Sequence, residues 1–143
     1  MKFSANASLI FVTAILLITT LVACGAKSSD EQQVRAVIDA VETAAEARDA
    51  SDVLEHVADN YADSNGFDKT QLRNFLRGYL LAHPKLELLV TVESLEFPVD
   101  GLAQAVISIT TVELTDPDMQ RLKVEFRRSG SAWQVARVER VGR

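Results

Sequence analysis

The sequence predicts an α+β fold, with three helices packed on one face of a curved antiparallel sheet. Three observations lead there. Between Val34 and Leu80 the apolar residues recur three and four positions apart, the period of an amphipathic helix. From Leu86 onward they alternate with polar residues, the period of a strand. All helical segments precede all strand segments, an order that segregates helices onto one side of an antiparallel sheet.

The first helix is expected to start at Ser29. Ser29 with Gln32 three residues on reads as a capping box, and Asp30 and Glu31 suit the positive end of the helix dipole. Val34, Val37, Ile38, Val41 and Ala45 give its apolar face, and it should run to about Arg48. After a break at Asp49-Ala50, Ser51 and Asp52 are expected to cap a short second helix with Val53, Leu54, Val57 and Ala58 inward. Residues 59–66 read as polar and turn-like around Tyr61, with room for a short strand. A third helix follows Asp68, with Leu72, Phe75, Leu76, Tyr79 and Leu80 on its apolar face. It must end before Pro84, because the residue preceding a proline avoids helical angles.

Four long strands complete the chain. Leu86, Leu88, Val90 and Val92 alternate with Glu87, Leu89, Thr91 and Glu93 before a turn at Pro98-Val99-Asp100-Gly101. The second strand covers Ala103 to Leu114, and Asp116-Pro117-Asp118 turns into the third. There Leu122, Val124 and Phe126 alternate with charged residues. Ser129-Gly130-Ser131 leads into the last, where Trp133 and Val135 share a face but Val138 falls on the other. A bulge near Ala136 would account for that slip.

Ahead of this domain lies a different kind of sequence. Residues 1–23 hold 16 apolar residues and one charge, Lys2, and Leu9 to Ala23 is an uncharged run of 15. A bilayer-spanning helix needs about 20 apolar residues, whereas a run of this length behind one positive charge fits a secretory signal. Without it, 120 residues remain with 14 basic and 20 acidic side chains, an ordinary acidic domain. Neither a strongly basic nucleic-acid binder nor a disulfide scaffold fits, since Cys24 is the one cysteine.

Leu21-Val22-Ala23-Cys24 resembles the lipobox of bacterial lipoproteins. The resemblance implies cleavage between Ala23 and Cys24, acylation of the Cys24 sulfur and anchoring in a lipid bilayer of the cell envelope. Two or three acyl chains hold stably where one is marginal. The implied organisation is a signal peptide over 1–23, an acylated cysteine and tether over 24–29, and a domain over 30–143. Gly25 after the cysteine resembles the default sorting to an outer membrane, where the host has one.

The element order carries a second resemblance. A helix, a short helix, an irregular aromatic segment, a helix and four strands is similar to the nuclear transport factor 2-like superfamily. The stretches that match are Glu42 to Ala62, with its Ala-Arg-Asp-Ala-Ser-Asp break, and Phe126 to Val138, with its Gly-Ser-Ala-Trp turn. That superfamily, with its ketosteroid isomerase-like and SnoaL-like members, implies a cone whose bent sheet wraps a long helix around a pocket. It hosts enzymes, binding modules and dimerisation domains alike, so the fold does not fix the activity.

Chemistry-bearing motifs are sparse. His56 and His83 are 27 residues apart, which is no metal-ligand spacing, and the Asp59–Gly66 stretch fails the register of a calcium loop. No glycine-rich phosphate loop and no nucleophile elbow is present, so neither a metal nor a cofactor is expected. The candidate pocket residues are Tyr61, Tyr79, His83 and Trp133. Trp133, like Phe126, reads first as core. Ketosteroid isomerase-like members use a carboxylate base beside a hydrogen-bond donor such as tyrosine. By that resemblance Asp59, Asp63, Tyr61, Tyr79 and His83 could approach a pocket, although no inward-facing acid is apparent on the strands. Charge is segregated: residues 30–63 carry net −8 and residues 121–143 net +5, which reads as solvated faces with helix-to-sheet ion pairs or as a basic surface for an anionic partner or lipid headgroups. The expected role is therefore non-catalytic. The domain would bind a small apolar ligand or a partner protein at the envelope, with a homodimer through the outer sheet face possible and no nucleic acid.

Overall fold

A computed structural model describes residues 29–112 and 117–142. The expectations for Ala23, Cys24 and the tether, and for the strand end at Leu114, lie outside the described residues.

Three helices and five strands follow in the order α1 (Asp30–Glu46), α2 (Ala50–Glu55), β1 (Val57–Asp63), α3 (Lys69–Ala82), β2 (Leu88–Val99), β3 (Leu102–Thr111), β4 (Asp118–Ser129) and β5 (Ala132–Arg140). The strands form one sheet in the order β1-β5-β4-β3-β2. All neighbours are antiparallel except β1 and β5, which run parallel. The α+β architecture is as expected from the sequence.

The helix starts follow from capping chemistry. Ser29 accepts from the Gln32 N–H while the Gln32 side chain accepts from the Ser29 N–H, the reciprocal capping box. Asp68 and Gln71 do the same at α3. α1 ends at Glu46, two residues earlier than expected, and Arg48 takes a positive φ of 59° to turn the chain. The cap of α2 is Asp49 rather than Ser51 or Asp52, because its carboxylate accepts from both of their N–H groups.

The strand expected only as a remnant around Tyr61 is a full element. β1 begins at Val57, so Val57 and Ala58 belong to the sheet and not to α2. Its pairing with β5 is irregular between Val57 and Ala62, which leaves Asp59 and Asn60 exposed and turns Tyr61 inward. β2 extends through Pro98 to Val99, and the turn shrinks to Asp100 and Gly101. Gly101 has a φ of +73°, a conformation glycine adopts without strain.

Two bulges set which residues face the helices. In β2 the register shifts between Val92 and Ser94, turning Glu93 outward to Ser108 of the neighbouring β3 and Arg121 of β4 beyond it. In β5 Val135 pairs with Phe126 and Arg137 with Glu125, so Ala136 has no partner across the ladder. That is the bulge the alternation predicts, and it returns Val138 to the inner face opposite Val124.

The core joins Val34 and Ile38 of α1 to Ala103, Ala105, Val124, Phe126, Trp133 and Val135 of the sheet. Phe126 and Val34 are essentially sealed from water. Among the described residues no charged side chain is buried in this core, whose polar side-chain atoms include the Tyr61 hydroxyl and the Trp133 indole nitrogen. The outward sheet face is largely ion-paired: Arg121 with Glu93, Arg127 with Glu125, Arg137 with Glu139. Arg128 reaches across to Asp30 at the start of α1, a helix-to-sheet pair of the kind the charge segregation predicts.

Candidate functional site

The antiparallel register puts both hairpin turns, at Asp100-Gly101 and Gly130-Ser131, at the same end of the sheet as Ser29. The other end carries Leu88, Thr111, Gln120 and Arg140. Large side chains meet tightly at the first end. Towards the second the inner face carries Val90, Ile107, Ile109, Leu122 and Val138, which are too short to reach the facing helices. A cavity of about 690 Å³ results, opening at that second end. Its volume falls within the range of small-molecule sites.

The cavity wall is mainly aliphatic and aromatic. α1 contributes Ile38 and Val41, and α3 contributes Leu72, Phe75, Leu76 and Tyr79. On α3, Phe75, Tyr79 and His83 stand four residues apart and stack in sequence, with ring centroids 5.7 Å and 4.1 Å apart. Phe67 meets Phe75 at 5.9 Å. Phe75 is half exposed at the mouth, so the ladder forms a stiff apolar lip.

Polar groups are few and placed at the rim. Tyr61 is buried, and its phenol donates to Asp63 Oδ2 at 3.3 Å. Burial, reinforced by the Asp63 charge and hydrogen bond, pushes the Tyr61 pKa well above its ordinary value of 10.0. Tyr61 therefore stays a neutral donor across physiological pH. Asp63 Oδ1 accepts from the N–H groups of Asn65 and Phe67, at 2.8 and 2.9 Å, so this carboxylate also shapes the loop into α3. Arg140 lies across the opening, bonding Gln120 Oε1 at 3.3 Å.

Of the four candidate pocket residues, the structure brings two to the cavity. Tyr61 and Tyr79 line it. His83 caps α3 instead, its Nδ1 2.7 Å from the Tyr79 carbonyl and its ring against Tyr79. Trp133 sits at the closed end as core, edge-on to Phe97 at 6.0 Å and beneath the Arg128 guanidinium at 4.9 Å. Asp59 is fully exposed and held by Lys69, whose ammonium lowers its pKa and also bonds the Val57 carbonyl.

The inward acids are on β1 and α1 rather than on the long strands. Besides Asp63, Glu42 lines the cavity. The signal for Glu42 was present, four residues after Ile38 and three before Ala45, inside the apolar arc of α1. Among the described residues no group of three or more His, Cys, Asp or Glu side chains could hold a metal ion. No described helix is long and apolar enough to cross a membrane.

With this geometry the chain resembles many solved structures. A domain of unknown function with a cystatin-like fold from Nostoc punctiforme superposes with a TM-score of 0.69 at 13% identity, covering 82% of this chain and 79% of that one. The fold is nuclear transport factor 2-like. An NTF2-like protein of unknown function from Pseudomonas putida gives 0.67 at 18% identity, over 83% and 90% of the two chains. Another from Shewanella oneidensis gives 0.65 at 14%, over 78% and 98%. No family model and no curated protein matches the sequence. At such identities the likeness concerns the NTF2-like fold alone, and the cavity chemistry must be read from this chain's own residues.

Proposed function

We propose that this chain is a lipoprotein of the bacterial cell envelope, anchored through acylated Cys24, whose NTF2-like domain binds a small apolar ligand without turning it over. The observation that carries the binding reading is the open cavity of about 690 Å³ with its predominantly apolar wall. A domain filled by its own side chains would leave only partner binding; here the space is unfilled. The rim groups Tyr61, Asn65, Gln120 and Arg140 would orient a polar end of the ligand at the mouth.

Binding is tested by titrating the full chain with anilinonaphthalene sulfonate, whose emission rises in an apolar pocket. The wild type should enhance emission, and Leu76→Trp, which projects an indole into the cavity, should suppress the rise at unchanged thermal stability. No enhancement by the wild type sinks the reading. The anchor is tested separately: Cys24→Ala should abolish acylation and leave the leader attached, whereas a variant still cut and membrane-held would refute it.

One observation favours a second reading, an acid/base enzyme of the ketosteroid isomerase-like type. Glu42 and the neutral phenol of Tyr61 both line the same apolar space, a carboxylate base and a hydrogen-bond donor. Asp63 serves less well as a base, since both of its oxygens already accept hydrogen bonds. Turnover of an isomerisable steroid ketone that disappears in Glu42→Gln would replace the binding reading with the enzymatic one.

A further inference from the structure

We propose that the closed end of the cone is a bilayer-docking face, so that the cavity mouth points away from the membrane into the aqueous compartment. The proposal rests on the anchoring through Cys24 proposed above.

The described residues begin at the closed end. Ser29 caps α1 there, and Asp30 is ion-paired at 2.5 Å with Arg128, next to the β4–β5 turn. Arg128 also lies 3.6 Å from Asp100 in the other hairpin turn and covers the Trp133 ring, which in turn meets Phe97. Ser29, both hairpin turns and Phe97 therefore form one continuous end surface. Five residue steps separate Ser29 from Cys24, a reach of at most about 17 Å.

That length decides the orientation. From Ser129 at the closed end to Gln120 at the mouth, β4 spans nine residue steps, about 30 Å. With the mouth against the bilayer, the start of α1 would stand farther from the lipid than the tether can reach. With the closed end against it, the tether is ample.

The surface itself suits lipid. Phe97 is 39% and Val99 61% exposed, with Pro98 between them, a protruding apolar tip on a β-hairpin. Arg128 pairs with Asp30 and lies 3.6 Å from the exposed Asp100, so one net negative charge stays beside the tip and the apolar residues, not charge, carry the contact with lipid. Apolar residues of this kind sit in the headgroup region at depths of about 5–10 Å. A ligand for the cavity would then arrive from the aqueous side and not directly from the anchoring leaflet.

The test uses the full chain, processed and acylated, in phosphatidylethanolamine–phosphatidylglycerol vesicles containing headgroup-proximal nitroxide lipids. Acylation consumes the Cys24 thiol, so an environment-sensitive fluorophore can be placed on Val99→Cys at the closed end or Asn65→Cys at the mouth. Ser131→Cys, in the other hairpin turn, gives the same readout should Val99→Cys disturb folding. The closed-end label should be quenched at least about twofold more than the mouth label. Equal quenching, or stronger quenching at Asn65, overturns the proposal. Mass spectrometry of the same sample separates the two failures. An unmodified Cys24 removes the anchor reading and the docking face with it, while an acylated chain with an unquenched closed end removes the docking face alone.

Discussion

The two ends of the cone are built from similar residue types and reach opposite outcomes. At the closed end Trp133, Val34 and Ala103 pack with Phe126, which also forms the inner limit of the cavity, until almost nothing is exposed. At the open end Ile109, Leu122, Leu76 and Val138 are partly buried and face an unfilled space. Hydrophobicity alone does not separate them. What differs is side-chain size relative to the gap: two large aromatics bridge sheet and helix at one end, and three- and four-carbon side chains fail to do so at the other. The closed end therefore supplies stability, and the open end gives up some of it to keep a site.

That contrast can be broken most sharply at Phe126. Phe126→Ala should destabilise the domain by about 4 kcal/mol in chemical denaturation, since it leaves a void in a sealed core. Ile109→Ala at the cavity wall should cost only about 1.5 kcal/mol, because the space beside it is already empty, while weakening apolar dye binding. A larger loss from Ile109 than from Phe126 would refute the division of labour. Tyr61→Phe, at the boundary, should cost about 1 kcal/mol through loss of its bond to Asp63. It also has a pH signature. The folded-state pKa of Tyr61 is raised, so its contribution is present below the unfolded value near 10.0 and is lost as pH climbs above it. Denaturation midpoints followed above pH 10 should fall less steeply in the variant. Smallest, Arg128→Ala should cost about 0.5 kcal/mol, because its pair with Asp30 is half exposed, and the difference should shrink in high salt.

Much of this fold was legible because periodicity is a local property. The capping boxes at Ser29 and Asp68, the strand alternation and the Ala136 slip could each be read within a dozen residues. β1 could not. Asp59, Asn60 and Asp63 give it a turn-like composition, and it is a strand because β5, more than seventy positions away, offers an edge to pair with. The cavity was harder still. Tyr61 and Tyr79 could be named, but whether Trp133 fills the cone or closes its end depends on where a curved sheet meets a helix. Glu42 is hidden in the sequence because an acid beside an apolar stripe looks the same whether that stripe is fully covered, leaving the acid at a solvated margin, or open onto a cavity.

The unpaired residue in β5 has a consequence for how this wall can change. With Ala136 present, Val138 continues the wall and Arg137 and Glu139 stay outside. Remove that single residue and the strand alternates without a break from Val135, so Arg137 still faces out, Val138 in and Glu139 out. Only if Ala136 stays and the strand straightens into regular pairing do Arg137 and Glu139 turn into the apolar chamber and Val138 out to water. The lining therefore tolerates a one-codon deletion at this point, and it is the loss of the bulge with the residue kept that would exchange lining for exterior in one step.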